Sequence, residues 1–88
     1  MEHVGIIIDR LLKQQDMNQR ELAEKSGLGA GHISLIVGGK CAISIPSAVA
    51  ISRALGIITA KEILNLQTEY QLEQYDLHAH QRQFEVLG

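Results

Sequence analysis

The stretch from Gln19 to Gly39, QRELAEKSGLGAGHISLIVGG, constrains the fold more than any other part of the chain. Leu22 and Ala23 lead into Ser26-Gly27-Leu28, and a second apolar pair, Ile33 and Ile36, follows three residues apart; the pattern predicts two short helices meeting at a tight turn. Where two helices cross closely the contact residue must be small, as Ala23 is, and the reversal needs a backbone with positive φ, which Gly27 supplies. Leu22, Leu28, Ile33 and Ile36 are then expected to fill the angle between the helices. Asn18 reads as an N-cap, with Glu21 three residues on placed to return a bond to the cap amide, so the first of the pair starts at Gln19. The second is expected over about Ala30 to Val37, ended by Gly38-Gly39-Lys40, with glycine as the C-cap and Lys40 beside the last carbonyls.

Helical periodicity continues on both sides. After a short arm, Met1 to Gly5, a first helix is expected from about Gly5 to Gln15. Ile7, Ile8, Leu11 and Leu12 form its buried stripe, Asp9, Arg10, Lys13 and Gln14 lie outside, and Asp16 breaks it. Cys41 opens a loop and reads as a packing residue beside Ala42 and Ile43. Pro46 suits the first turn of a fourth helix, in which Ala48, Val49, Ile51, Ala54 and Leu55 make the inner face and Gly56 the stop. Arg53 is its only charge, a candidate for the surface or for a phosphate. Thr59 and Glu62 form a second capping box, so a fifth helix starts near Ala60. Ile63, Tyr70, Leu77 and Phe84 then fall seven apart, with Leu66 and Leu87 in a companion column that Glu73 and His80 interrupt, which leaves a coiled-coil seam incomplete. The fifth helix is expected to run to about Leu77, with a frayed end.

Eighty-eight residues suffice for one domain that buries roughly two-thirds of its unfolded surface. With only Tyr70, Tyr75 and Phe84 as aromatics, the core must be aliphatic. One cysteine cannot form an internal disulfide, and with no leader or long apolar run a cytoplasmic setting is expected. The net charge of −2 conceals a split. Up to Gly56 the cations Arg10, Lys13, Arg20, Lys25, Lys40 and Arg53 balance the acids; beyond it only Lys61 and Arg82 face Glu62, Glu69, Glu73, Asp76 and Glu85. A near-neutral head with an acidic tail permits nucleic-acid binding without indicating it, because the face presented matters more than the total.

QRELAEKSGL followed by HISLIVGGK resembles the lambda-repressor-like (XRE) helix-turn-helix family, a likeness running from about Val4 to Leu66 and including IPSAVAISRALGI. The resemblance implies an all-α, five-helix domain that binds duplex DNA, usually as a homodimer on a palindromic operator, with the second motif helix in the major groove. It divides the chain into a DNA-binding domain, 1–66, and a C-terminal helical extension, 67–88. EHVGIII and ILNLQTEYQL further resemble the HigA-type antitoxins, matching at His3, Gly5, Asn65, Leu66, Gln67, Tyr70 and Leu72 and departing at Val4 and Ile63. That group implies a repressor of its own operon that neutralises a small ribosome-dependent RNase toxin.

The DNA contacts so implied are Asn18, Gln19 and Arg20 at the start of the first motif helix, Gly29, Ala30, Gly31, His32, Ser34 and Leu35 on the second, and Lys40 after it. Gln19 also stands on local geometry, since a helix's first turn points a side chain and free amides outward together, an arrangement that suits a phosphate oxygen. Dimer or partner contacts are expected from Ile57, Ile58, Ile63, Leu66, Tyr70 and Leu77. No residue from Gly27 to Gly39 is charged, so the usual bidentate base contacts, worth about 1–3 kcal/mol each, are unavailable. Three readings follow. The helix reads DNA through His32, Ser34, thymine methyls and DNA shape; or it binds weakly and only as a multimer; or the fold survives as a protein-interaction adaptor with a vestigial DNA face. Asp76 and His80 make at most two metal ligands, no nucleophile has a base nearby, and Gly27-x-Gly29-x-Gly31 is not a nucleotide fingerprint, so neither an enzyme nor a cofactor is expected.

Overall fold

Capping chemistry sets most of the helix boundaries. The computed structural model describes the backbone of residues 1–87 and the side chains of residues 1–76. Among them are five helices and no strand: α1 (Val4–Gln14), α2 (Gln19–Ser26), α3 (Ala30–Val37), α4 (Ile45–Leu55) and α5 (Ala60–Leu87). The Glu21 amide donates to Asn18 Oδ1 at 2.8 Å and the Asn18 amide to Glu21 Oε1 at 3.4 Å, completing the expected box. Thr59 and Glu62 repeat it at α5, with bonds of 3.1 and 3.0 Å. Gly27 closes α2 in the left-handed region, φ 76. Ser44 caps α4, its Oγ accepting from the Ser47 amide, and Pro46 sits in the first turn as expected.

Two expectations shift, at the start of α1 and the end of α5. Only residues 1–3 precede α1, and that arm is tied down, Glu2 pairing with Arg10 at 2.8 Å. At the end of α3, Gly38 keeps right-handed dihedrals and Gly39 takes the left-handed ones, φ 71. The Gly39 amide donates to Ile36 O and the Lys40 amide to Leu35 O, a Schellman closure with Gly38 as the expected glycine C-cap. Finally, α5 does not stop near Leu77 but continues to Leu87. A helix of that length spans about 42 Å and extends beyond the other four in a molecule 52 Å long and 22 Å wide.

The core is aliphatic throughout. Ile8, Leu12, Leu22, Ile33, Ile36, Ile51 and Ile63 are all but sealed from solvent, with Val4, Met17, Ile43, Ala48 and Leu55 around them. Ala23 is buried and Leu28 packs at the edge of this cluster. In α1 the buried stripe is Val4, Gly5, Ile8 and Leu12; Ile7 and Leu11 are half-buried. Gly5 is placed where α1 meets α3 so closely that a Cβ would overlap the Ile36 carbonyl oxygen. Cys41 and Ala42 are exposed, and the loop's inward residue is Ile43. The expected packing cysteine is therefore a surface residue.

Candidate nucleic-acid interface

Burial of Leu22 and Ala23 on α2, and of Ile33 and Ile36 on α3, turns the opposite faces of both helices outward. On α2, Asn18 and Arg20 are exposed and Gln19 is half-buried. Asn18 spends its side-chain oxygen on the cap, and Arg20 lies 3.7 Å from Glu24. With the Glu21 amide capped, those of Gln19 and Arg20 have no acceptor among the described residues. They are free to meet an anion such as a phosphate oxygen.

The outward arc of α3 consists of Ala30, Gly31, Ser34 and Leu35, with Gly29 before it and His32 half-buried at its margin. Leu35, at 49% exposure, is a large apolar side chain in the middle of an otherwise small surface. A Cβ built on Gly29 or Gly31 would meet nothing within 4 Å, and neither has a positive φ. Nothing within the protomer requires glycine there. Lys40 is exposed immediately beyond the Schellman turn and makes no ion pair among the described residues. Of the sequence-derived DNA residues, Asn18, Arg20, Gly29, Ala30, Gly31, Ser34, Leu35 and Lys40 are exposed, and the half-buried side chains of Gln19 and His32 are the least available.

The expected partner residues do not share one surface. Ile63 has no exposed area and belongs to the protomer's own core, so it cannot meet a second chain. Its heptad position is used internally, against the other helices. Ile58 and Leu66 are half-buried against the same core, and Tyr70 is half-buried. Ile57 is 56% exposed. The side chain of Leu77 lies outside the described residues, as do those of His80, Phe84 and Leu87. Leu72 and Tyr75, three apart on one face of α5, are the apolar residues exposed on its described part.

Two contacts were not legible in the sequence. The Gln67 carboxamide grips both backbone groups of Ile43, accepting from its amide at 2.6 Å and donating to its carbonyl at 2.9 Å. The His3 ring lies against Gly5 and Gly39, within about 3 Å of where either would carry a Cβ, and meets Tyr70 edge-on at 6.1 Å and 72°. Around them runs a cleft of about 190 Å³ lined by residues that include Lys40, Cys41, Gln67 and Gln71. A histidine two residues before a buried glycine was the available signal, but its packing partner, Gly39, is remote in sequence.

No helix among the described residues is long and apolar enough to cross a membrane, and no three His, Cys, Asp or Glu side chains gather there as a metal site. The helix-turn-helix family model matches residues 8–63, from the first fully buried residue of α1 to that of α5. The chain is also similar to a solved structure described as an antidote protein of a plasmid maintenance system, from Nostoc punctiforme PCC 73102. The two share 29% identity over 98% of this chain and 92% of that one, with a TM-score of 0.80. No curated protein matches the chain.

Proposed function

The chain belongs to the XRE-type helix-turn-helix family of DNA-binding proteins, and from that premise we propose that it is a dimeric transcriptional repressor serving as the antitoxin of a toxin–antitoxin pair. In this reading α3 of each protomer enters a major groove, α2 anchors the phosphates through Gln19 and the open amides beside it, and Lys40 adds a phosphate contact. The two α3 helices of the dimer lie about 34 Å apart, one turn of B-DNA, on a palindromic operator in the chain's own promoter. The extension, 67–88, supplies the dimer or toxin contact, with Leu72 and Tyr75 its large apolar residues exposed among the described ones and Ile57 a further exposed apolar residue. The partner is a small RNase-type toxin.

One observation carries the reading. The outward arc of α3 is exposed and sterically open, and it keeps a glycine in a helix where nothing inside the protomer needs one. That surface suits close approach by a sugar-phosphate backbone or groove wall, with thymine methyls against Ala30 and Leu35. The lack of charge from Gly27 to Gly39 favours a second reading, a protein-binding adaptor with a vestigial DNA face.

Mobility shift on the DNA upstream of the chain's own gene, across a salt series, separates the two. The repressor loses affinity with a log–log slope of about 0.9 per neutralised phosphate, and Gln19→Ala weakens every site tested. A slope near zero refutes it and leaves the adaptor. The toxin part has its own test: co-expression with the product of a small adjacent reading frame, which must co-purify and be neutralised.

A further inference from the structure

The loop that follows α3 carries Lys40, and it is held from α5 at two places. Gln67 reproduces for Ile43 both hydrogen bonds that a neighbouring strand would offer, fixing the far end of the loop. One turn along α5, Tyr70 meets the His3 ring, and that ring occupies the space beside Gly39 that any side chain there would need. Gly39 is the left-handed residue of the turn, and Lys40 is the next residue, its amide bonded back to Leu35. Lys40 itself has no ion-pair partner among the described residues, so the backbone that carries it is what fixes where its side chain begins.

We propose that His3, Gln67 and Tyr70 are positioning residues for DNA binding: the stack Tyr70–His3–Gly39 and the Gln67 clamp on Ile43 hold the loop so that Lys40 reaches a phosphate. The inference rests on the repressor reading and deepens it, because it assigns α5 a part in the DNA contact itself. Without the ring, the space beside Gly39 opens and the turn is no longer pinned against the start of α1. Lys40 then samples many directions, and the contact is lost though the residue is unchanged.

The test is a double-mutant cycle read on the full chain, with a fluorescent duplex of the DNA upstream of its own gene. Lys40→Ala is expected to lower the salt slope by about 0.9, the share of one phosphate. His3→Ala and Tyr70→Leu are each expected to lower it by most of that amount, and to add nothing in the Lys40→Ala background. Circular dichroism at the assay temperature confirms that each variant is folded; should His3→Ala unfold, Tyr70→Leu carries the cycle. Variants that weaken binding equally with and without Lys40, at an unchanged slope, overturn the positioning role while leaving the repressor intact. No salt-dependent binding by the parent chain overturns both.

Discussion

Replacing Gly31 by alanine should move stability and DNA affinity in opposite directions. Gly31 is the second residue of α3, exposed, without positive φ, and a Cβ there meets nothing within 4 Å. The methyl therefore brings no clash and no strain, and acts mainly by restricting the unfolded chain. Alanine is favoured over glycine in helices by about 0.5–1 kcal/mol, with the lower end apt for a first-turn position. At about 4–8 °C per kcal/mol for a domain of this size, that lower end should raise the melting temperature by about 2–4 °C. Gly29→Ala is the internal control. Gly29 is the N-cap, with extended dihedrals, and alanine is a poorer cap than glycine, so that variant should not gain stability despite equal room. Thermal melts by circular dichroism give the stability, and fluorescence anisotropy on upstream DNA gives the affinity, which should fall because the methyl occupies the space a phosphodiester backbone would use. A lower melting temperature for Gly31→Ala would refute the steric account. A higher one with unaltered DNA affinity would refute close approach at this residue.

Other substitutions probe the frame. Asn18→Ala removes the oxygen that holds the Glu21 amide and should cost about 1 kcal/mol in urea unfolding; an effect within error would mean the cap is satisfied otherwise. Gly5→Ala forces α1 off the Ile36 carbonyl and should destabilise by about 1–3 kcal/mol or more, measured the same way. Ile63→Ala should cost about 2–5 kcal/mol as a core truncation. Leu72→Ser, on the surface, should change stability by less than about 0.5 kcal/mol yet weaken self-association in sedimentation velocity. Equal stability losses at the two positions would contradict their assignment to core and surface.

The helix boundaries were largely legible because they rest on local chemistry. Asn18 with Glu21, Thr59 with Glu62, and Gly27 each announce a boundary within four residues of chain. The aliphatic core followed from periodicity for the same reason. What the sequence could not separate was the two uses of a heptad-like spacing. Ile63 and Tyr70 keep the interval of an intermolecular seam, but Ile63 is buried in the core of its own domain and Tyr70 meets the His3 ring, so the same spacing serves contacts within the protomer. The end of α5 was set too early because Glu73 and His80 interrupt the companion column between Leu66 and Leu87, and a broken stripe does not mark where a helix continues. At the candidate site, the exposed arc of α3 could be read from the burial of Ile33 and Ile36 alone. The clamp could not, for Gln67 and Ile43, and likewise His3 and Gly39, are remote in the chain and joined only by the packing of α5 and α1 on the loop.

The inner and outer sides of α3 answer to separate demands. Ile33 and Ile36 anchor the helix, and Ala30, Gly31, Ser34 and Leu35 opposite them are exposed. Mutational drift or a designer can therefore rewrite the outer lettering while the scaffold beneath stays whole. A library randomised at Ala30, Gly31, Ser34 and Leu35 should yield mostly well-folded members, a blank slate for new sequence preferences.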